Sequence, residues 1–334
     1  MPTTRIPLLL TAAAAFGVVL ASAAPVRAQA FACGDTIGPG AKVALTADVA
    51  TCTSATDAAL TIVGPSKVDM AGFRVLCDPN DPPLAGILVD GKGVKLSGGG
   101  TVDCGGDDGV TFGAGIVLIG DGSHKLDDLV VESSALDGFR IESDKNKLRR
   151  AAANDNADDG VEINSSGNKL DQVAAIANQD DGFRIDGDGN KLGSVVASGN
   201  GSDGFVVESG GAGNKIKAAL FADNGDDGVA LVGPGNEIAK SVAVANGDLP
   251  EDAGIDLQGD GNRVKQTRSL DNHFSGVRAD AGASGNTVQK NVALLNEVDL
   301  VDRSPGGTCD GNTWKKNVFG TSDADGNAGA PCIQ

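Results

Sequence analysis

Arginines and carboxylates recur at fixed intervals in phrases such as DGFRIDGDGNKL, residues 181–192. Arg140, Glu162 and Arg184 follow one another at steps of 22 residues, and Asp186 stands two places beyond Arg184. A base, an acid and a guanidinium on one face are what a polysaccharide lyase or glycosidase needs. The competing reading is an Arg–Glu–Arg ladder that offsets its own charge across adjacent strands. A second group is the repeated pair Asp158–Asp159 and Asp180–Asp181. Carboxylates from neighbouring turns could cage Ca²⁺, which prefers hard oxygen ligands. Alternatively, each aspartate accepts backbone N–H groups at a corner and keeps its outer oxygen in water.

The elements that position these residues follow from a repeat. The glycines of the DG phrases, Gly138, Gly160, Gly182, Gly204, Gly228, Gly254 and Gly276, are spaced by 22, 22, 22, 24, 26 and 22 residues. One asparagine series keeps the same period from Asn146 to Asn312, and a second runs from Asn156 to Asn296. After each glycine, apolar and polar residues alternate, as in Phe183, Arg184, Ile185 and Asp186, the mark of a short half-buried strand. A second apolar point follows the GN asparagine, at Leu148, Leu170 and Leu192, and a third strand carries small residues, as in QVAAIAN. Gly, Asn and Asp cluster between strands, where corners and positive φ are expected. Three short strands and three corners in roughly 22 residues close one turn of a coil, and stacked coils bury a shared core. Spanning residues 58–318, the pattern predicts about ten or eleven coils. Stacking also turns the asparagines into ladders, each amide donating to one rung and accepting from the next. The outward column runs Arg140, Glu162, Arg184, Val206, Ala230, Asp256 and Arg278, and is read as solvent-facing.

The DG-F/V-x-I, GN-K-L and Asn pattern resembles the right-handed parallel β-helix repeat of the pectin-lyase-like superfamily. The cysteine-bearing ends, CGDTIGPGAKVALTADVATC and CDGNTWKKNVFGTSDADGNAGAPC, look like those of exported bacterial members. The resemblance implies an all-β, single-stranded right-handed parallel β-helix. It says little of activity, because this scaffold hosts lyases, hydrolases, epimerases and adhesins. Polygalacturonase-like hydrolases carry NTD, DD, GHG and RIK; here DD occurs, but GHG is missing and FRI replaces RIK. The DPHD of mannuronan epimerases is absent as well. Pectate-lyase-like enzymes combine Ca²⁺ carboxylates with an arginine base, which Arg140 or Arg184 beside Asp159 and Asp181 could imitate. Repeat lengths vary by only a few residues, so no long loop is expected to wall a cleft; the largest insertion is GDLPED, residues 247–252.

Composition narrows the classes further. The net charge of −18 opposes nucleic acid and anionic membranes as partners. Residues 1–30 read as a cleavable signal peptide ending Ala28-Gln29-Ala30, with no membrane span after it. The expected divisions are a cap at 31–57, the coil at 58–308 and a second cap at 309–334. Six cysteines suit an oxidising compartment, secreted, periplasmic or at the cell surface. Of the possible pairings, neighbours are favoured: Cys33–Cys52, Cys77–Cys104 and Cys309–Cys332, because the two ends of the rod lie far apart. Zinc is disfavoured, with no CxxC and only His124 and His273.

The function expected from sequence is an exported non-catalytic β-helix, structural or binding, with Ca²⁺ as candidate cofactor at Asp158, Asp159, Asp180 and Asp181. Its candidate partners are an acidic polysaccharide or a surface molecule. The alternative is a polysaccharide lyase or related enzyme on an acidic glycan, with Arg140, Glu162, Arg184 and Asp186 as candidate catalytic residues.

Overall fold

The computed structural model describes residues 26–104, 113–305, 309–324 and 333. Two parallel sheets wind around one core. Sheet 1 stacks thirteen strands in chain order, from Asp35–Ile37 to Ser322–Ala324. Sheet 2 has twenty strands and carries two strands of most turns, joined at a bend. In the central turns those two are one bent strand, as in Lys147–Asn154 and Lys169–Ile176. Register is the one the repeat demands: Phe139 stands beside Val161, then Phe183, then Phe205. Leu148, Leu170, Leu192 and Ile216 form the facing column. All are buried; Phe205 meets Phe183 tilted and Phe221 edge-on, each pair with ring centroids 5.9 Å apart.

Thirteen stacked strands make about twelve turns, more than the repeat alone predicts. The difference lies at the ends. Residues 31–57 pair directly onto the coil: Asp35–Ile37 with Leu60–Ile62, and Lys42–Ala44 with Lys67–Asp69. At the other end Thr313–Lys315 pairs with Thr287–Gln289, and Ser322–Ala324 with Leu300–Asp302. The first turns lack the DG and GN signals and the last keeps Gly311-Asn312, so inward residues such as Val43, Leu45 and Trp314 help to mark them. Even Arg27–Gln29 pairs with Val43–Leu45. The rest of the expected leader, residues 1–25, lies outside the described residues.

Cys33–Cys52 and Cys77–Cys104 are bonded, and they staple the first turns. Cys309 is also disulfide-bonded, while Cys332 lies outside the described residues. Among the described residues no helix is long and apolar enough to cross a membrane.

The asparagines do stack as ladders. The Asn178 side-chain amide donates to Asn200 Oδ1 at 2.9 Å, and Asn200 donates to Asn224 Oδ1 at 2.8 Å. In the other column the Asn146 backbone amide donates to Asn168 Oδ1, and Asn168 to Asn190, each at 2.8 Å. His124 takes the first place in this column. It is wholly buried; its amide donates to Asn146 Oδ1, and its Nδ1 accepts the Val94 amide at 3.2 Å. Positive φ falls not on the DG glycines but one residue before each ladder amide, on Gly167 and Gly189 and also on Asp155 and Ala177. Gly182 is required for another reason. A Cβ there would lie 2.6 Å from the Gly204 carbonyl oxygen and 2.7 Å from Asn200 Nδ2.

Candidate functional site

The DG corner feeds directly into sheet 1, so each turn from Asp137 to Asp227 delivers one aspartate, then an outward side chain, to the same place; before Gly254 and Gly276 stand Ala253 and Ser275 instead. The Asp181 amide donates to Asp159 Oδ1 at 3.0 Å, the Asp203 amide to Asp181 Oδ1 at 2.9 Å, and the Asp227 amide to Asp203 Oδ1 at 2.8 Å. This is an aspartate ladder. Asp137, Asp159, Asp181 and Asp227 are buried. Burial, and after it the neighbouring carboxylates, pushes Asp159 and Asp203 up to about 9 and Asp137 to about 8. Burial also raises Asp181, to about 7; there backbone, Ser202 and Arg184 partners pull the other way.

The four aspartates read as a cation site, joined by Asp137, form two triads that share Asp159. Carboxylate oxygens of Asp137, Asp158 and Asp159 lie within 4.8 Å of one another, as do those of Asp159, Asp180 and Asp181. Oxygen donors suit Ca²⁺ in kind. They are thin in number, because the main-chain carbonyls of Asp159 and Asp181 already accept the amides of Gly138 and Gly160. The set therefore suits a weakly held, largely hydrated ion that must displace protons from the buried members.

Outward from the triads, Arg140 Nε lies 2.8 Å from Glu142 and 3.1 Å from Glu162, with the Glu162 side chain only 16% exposed. Glu162 is the first of the neighbouring carboxylates that add to the upward shift of Asp137. Arg184 turns the other way, to Glu208 at 3.0 Å. Arg140, Glu162 and Arg184 are register neighbours, but only the first two are paired. Asp186 lies beyond the strand end, exposed.

Two features differ from the sequence reading. A groove exists on this face after all, with a volume of 670 Å³. Leu84 and Leu136 wall it, Leu88 and Val117 form its floor, and Arg140 and Glu142 stand at its end. The groove lies where the turns are longer than in the central repeat: the register partners Ala58, Ala85 and Ala114 are 27 and 29 residues apart. Second, the outward column does not stay in solvent. Val206, Ala230, Asp256 and Arg278 are all buried. Arg278 donates to both oxygens of Asp256, at 3.0 and 2.6 Å, and lies 3.0 Å from Asp280. The far end of the column is thus a covered charge network.

A family model described as right handed beta helix region matches residues 86–243 and again 160–330. The chain belongs to this right-handed β-helix family. Solved structures agree in fold. The A-module of a mannuronan C-5 epimerase of Azotobacter vinelandii is 16% identical, with a TM-score of 0.61 and 87% of each chain covered. A second A-module from the same organism is 14% identical, with a TM-score of 0.51 and the same coverage. A double mutant of a periplasmic alginate epimerase is 13% identical, with a TM-score of 0.58 over 86% of this chain and 77% of that one. No curated protein matches the sequence. At such identities the likeness of this β-helix to the epimerases is one of fold.

Proposed function

We propose that the protein is an exported glycan-binding β-helix that holds a sugar chain in the sheet 1 groove without turning it over. The groove lined by Leu84, Leu88, Val117 and Leu136 and closed by Arg140 and Glu142 carries this reading. Apolar side chains suit the C–H faces of pyranose rings, and a few convergent polar groups at one end suit their hydroxyls. Abstraction of a proton beside a uronate carboxylate needs a cation to neutralise that carboxylate. Arg140 is already held by two glutamates, and the surrounding carboxylates outnumber it. An acidic chain would therefore bind here only with Ca²⁺ at the neighbouring aspartate triads. Structures of alginate epimerases built on the same fold, together with the disulfides, support a carbohydrate role outside the cytoplasm.

One observation favours the catalytic alternative. Asp137, raised to about 8 by burial and by Glu162 nearby, holds a proton at neutral pH close to Arg140. Such a group could serve as a general acid for a lyase or related enzyme, with Arg140, Glu162, Arg184 and Asp186 around it. Incubation with neutral and uronate polysaccharides, with and without Ca²⁺, separates the two. Binding without new unsaturated or reducing ends is the expected result; release of either product, abolished in Arg140→Ala, establishes the enzyme instead.

A further inference from the structure

The lysine that opens a sheet 2 strand in successive turns forms a feature independent of the sheet 1 groove. Lys42, Lys67, Lys95 and Lys125 are register partners in succession on sheet 2. The column continues without a break through Lys147 to Lys215. Eight lysines thus stand one per rung, about 4.8 Å apart, in a line about 34 Å long. All but the half-buried Lys42 are exposed, and none of them has an ion pair among the described residues. In a chain of net charge −18 such a line is not a general excess of basic residues.

The first three rungs are different from the rest. Lys42, Lys67 and Lys95 border a concave site of 300 Å³, together with Pro65, Gly93 and Ser66. Ser66 is 4% exposed, and its hydroxyl oxygen has no hydrogen-bond partner. A buried hydroxyl left unmatched beside three cations is an unfilled polar site. The nearest carboxylate on these strands, Asp69, is engaged by the Ala71 amide.

We infer that this column is a docking track for a linear acidic polysaccharide, anchored by a carboxylate or sulfate in the groove at Lys42, Lys67, Lys95 and Ser66. The partner is linear because the cations are collinear, and regularly charged because the rungs repeat at about the scale of one pyranose. Single-stranded nucleic acid binding relies on aromatic platforms. Here tyrosine is absent and Trp314 is buried. Membrane-surface binding needs an apolar face beside the charges, and none accompanies this column. Binding needs no Ca²⁺, which separates it from the sheet 1 groove.

The test is titration of the full chain with oligogalacturonate and with a sulfated glycan in chelator. Three contacts imply about a hundredfold loss of affinity from about 20 to about 200 mM salt, treating the ligand as a single-stranded polyanion. Lys42→Gln/Lys67→Gln/Lys95→Gln should weaken binding about tenfold or more, and Lys290→Gln, an exposed lysine outside the column, should leave it unchanged. On the wild-type chain, lysine acetylation read by mass spectrometry should show these three lysines shielded by the glycan. Equal affinity in the triple variant, or no shielding, overturns the inference. So does equally tight binding of anionic vesicles or oligothymidylate through the same lysines. Failure of the sheet 1 groove reading would leave these results untouched.

Discussion

The Asp181 amide donates to the Asp159 carboxyl at 3.0 Å, one rung of a buried column in which like acids sit one above another. The carboxyls bind protons more tightly folded than unfolded, because burial penalises their charged form. A group raised in this way contributes stability fully below its unfolded value of about 3.9, and loses it as pH rises through its folded value. For Asp137, Asp159, Asp181 and Asp203 the folded values run from about 7 to about 9. The melting temperature should therefore fall steadily from pH 5 to pH 9, by several degrees. Asp159→Asn keeps an acceptor and removes one titration, so its melting curve should vary less over that range. A wild-type melting temperature that rises toward pH 9 contradicts the ladder chemistry.

Calcium should interact with the same column in the opposite sense. Protons and the ion compete for Asp137, Asp159 and Asp181, so binding should be tighter at pH 8.5 than at pH 5.5. Calorimetric titration at the two pH values checks this. Asp159→Ala, which removes the carboxyl common to both triads, should abolish the heat.

The asparagine columns should matter more than single surface contacts. Asn200 accepts the Asn178 side chain at 2.9 Å and donates to Asn224 at 2.8 Å, all three buried. Asn200→Ala takes the acceptor from both the amide and the side chain of Asn178, while Asn224 Oδ1 keeps the Asn200 amide. Each group left unmatched costs about 1–3 kcal/mol, so a loss of about 2–4 kcal/mol in chemical denaturation is expected. Asn164→Ala, at an exposed position outside the ladders, should change stability little.

At the covered end of the outward column, Arg278→Ala strands the wholly buried Asp256. Breaking a buried pair by removing one partner costs about 3–5 kcal/mol. The double variant Arg278→Met/Asp256→Leu should recover most of that loss, because an apolar pair of similar volume needs no compensation.

The solenoid was legible from sequence because each turn repeats Gly, an alternating strand and Asn at nearly constant spacing. What escaped lay where the pattern changes. His124 replaces an asparagine in its ladder, and a third column, in which the Thr267 amide donates to Asn291 Oδ1 and Asn291 to Asn317, exists only in the last turns. Positive φ at Arg150, Gln172 and Lys240 could not be read from residue type, because stacking imposes the bend on whatever residue stands there. The groove escaped because Leu84 and Leu136 are corner residues whose exposure follows from the path of the chain. The burial of Asp256 and Arg278 escaped because alternation shows which face a residue takes and not what covers that face. Three of the column's lysines, Lys169, Lys191 and Lys215, stand in GNK phrases, but the column shows only in rung-by-rung register.

The most direct measurement of the central claim is affinity of the intact protein for a panel of neutral and acidic polysaccharides, compared with Leu88→Asp. Leu88 lies half-buried on the groove floor, so the change adds a charge there without opening the core. The account predicts that at least one glycan binds the wild type without conversion. In Leu88→Asp it should bind about tenfold more weakly at unchanged melting temperature, as expected when an unpaired charge is placed against an apolar sugar face. Equal affinity in the two proteins, or conversion of the bound glycan, would contradict it.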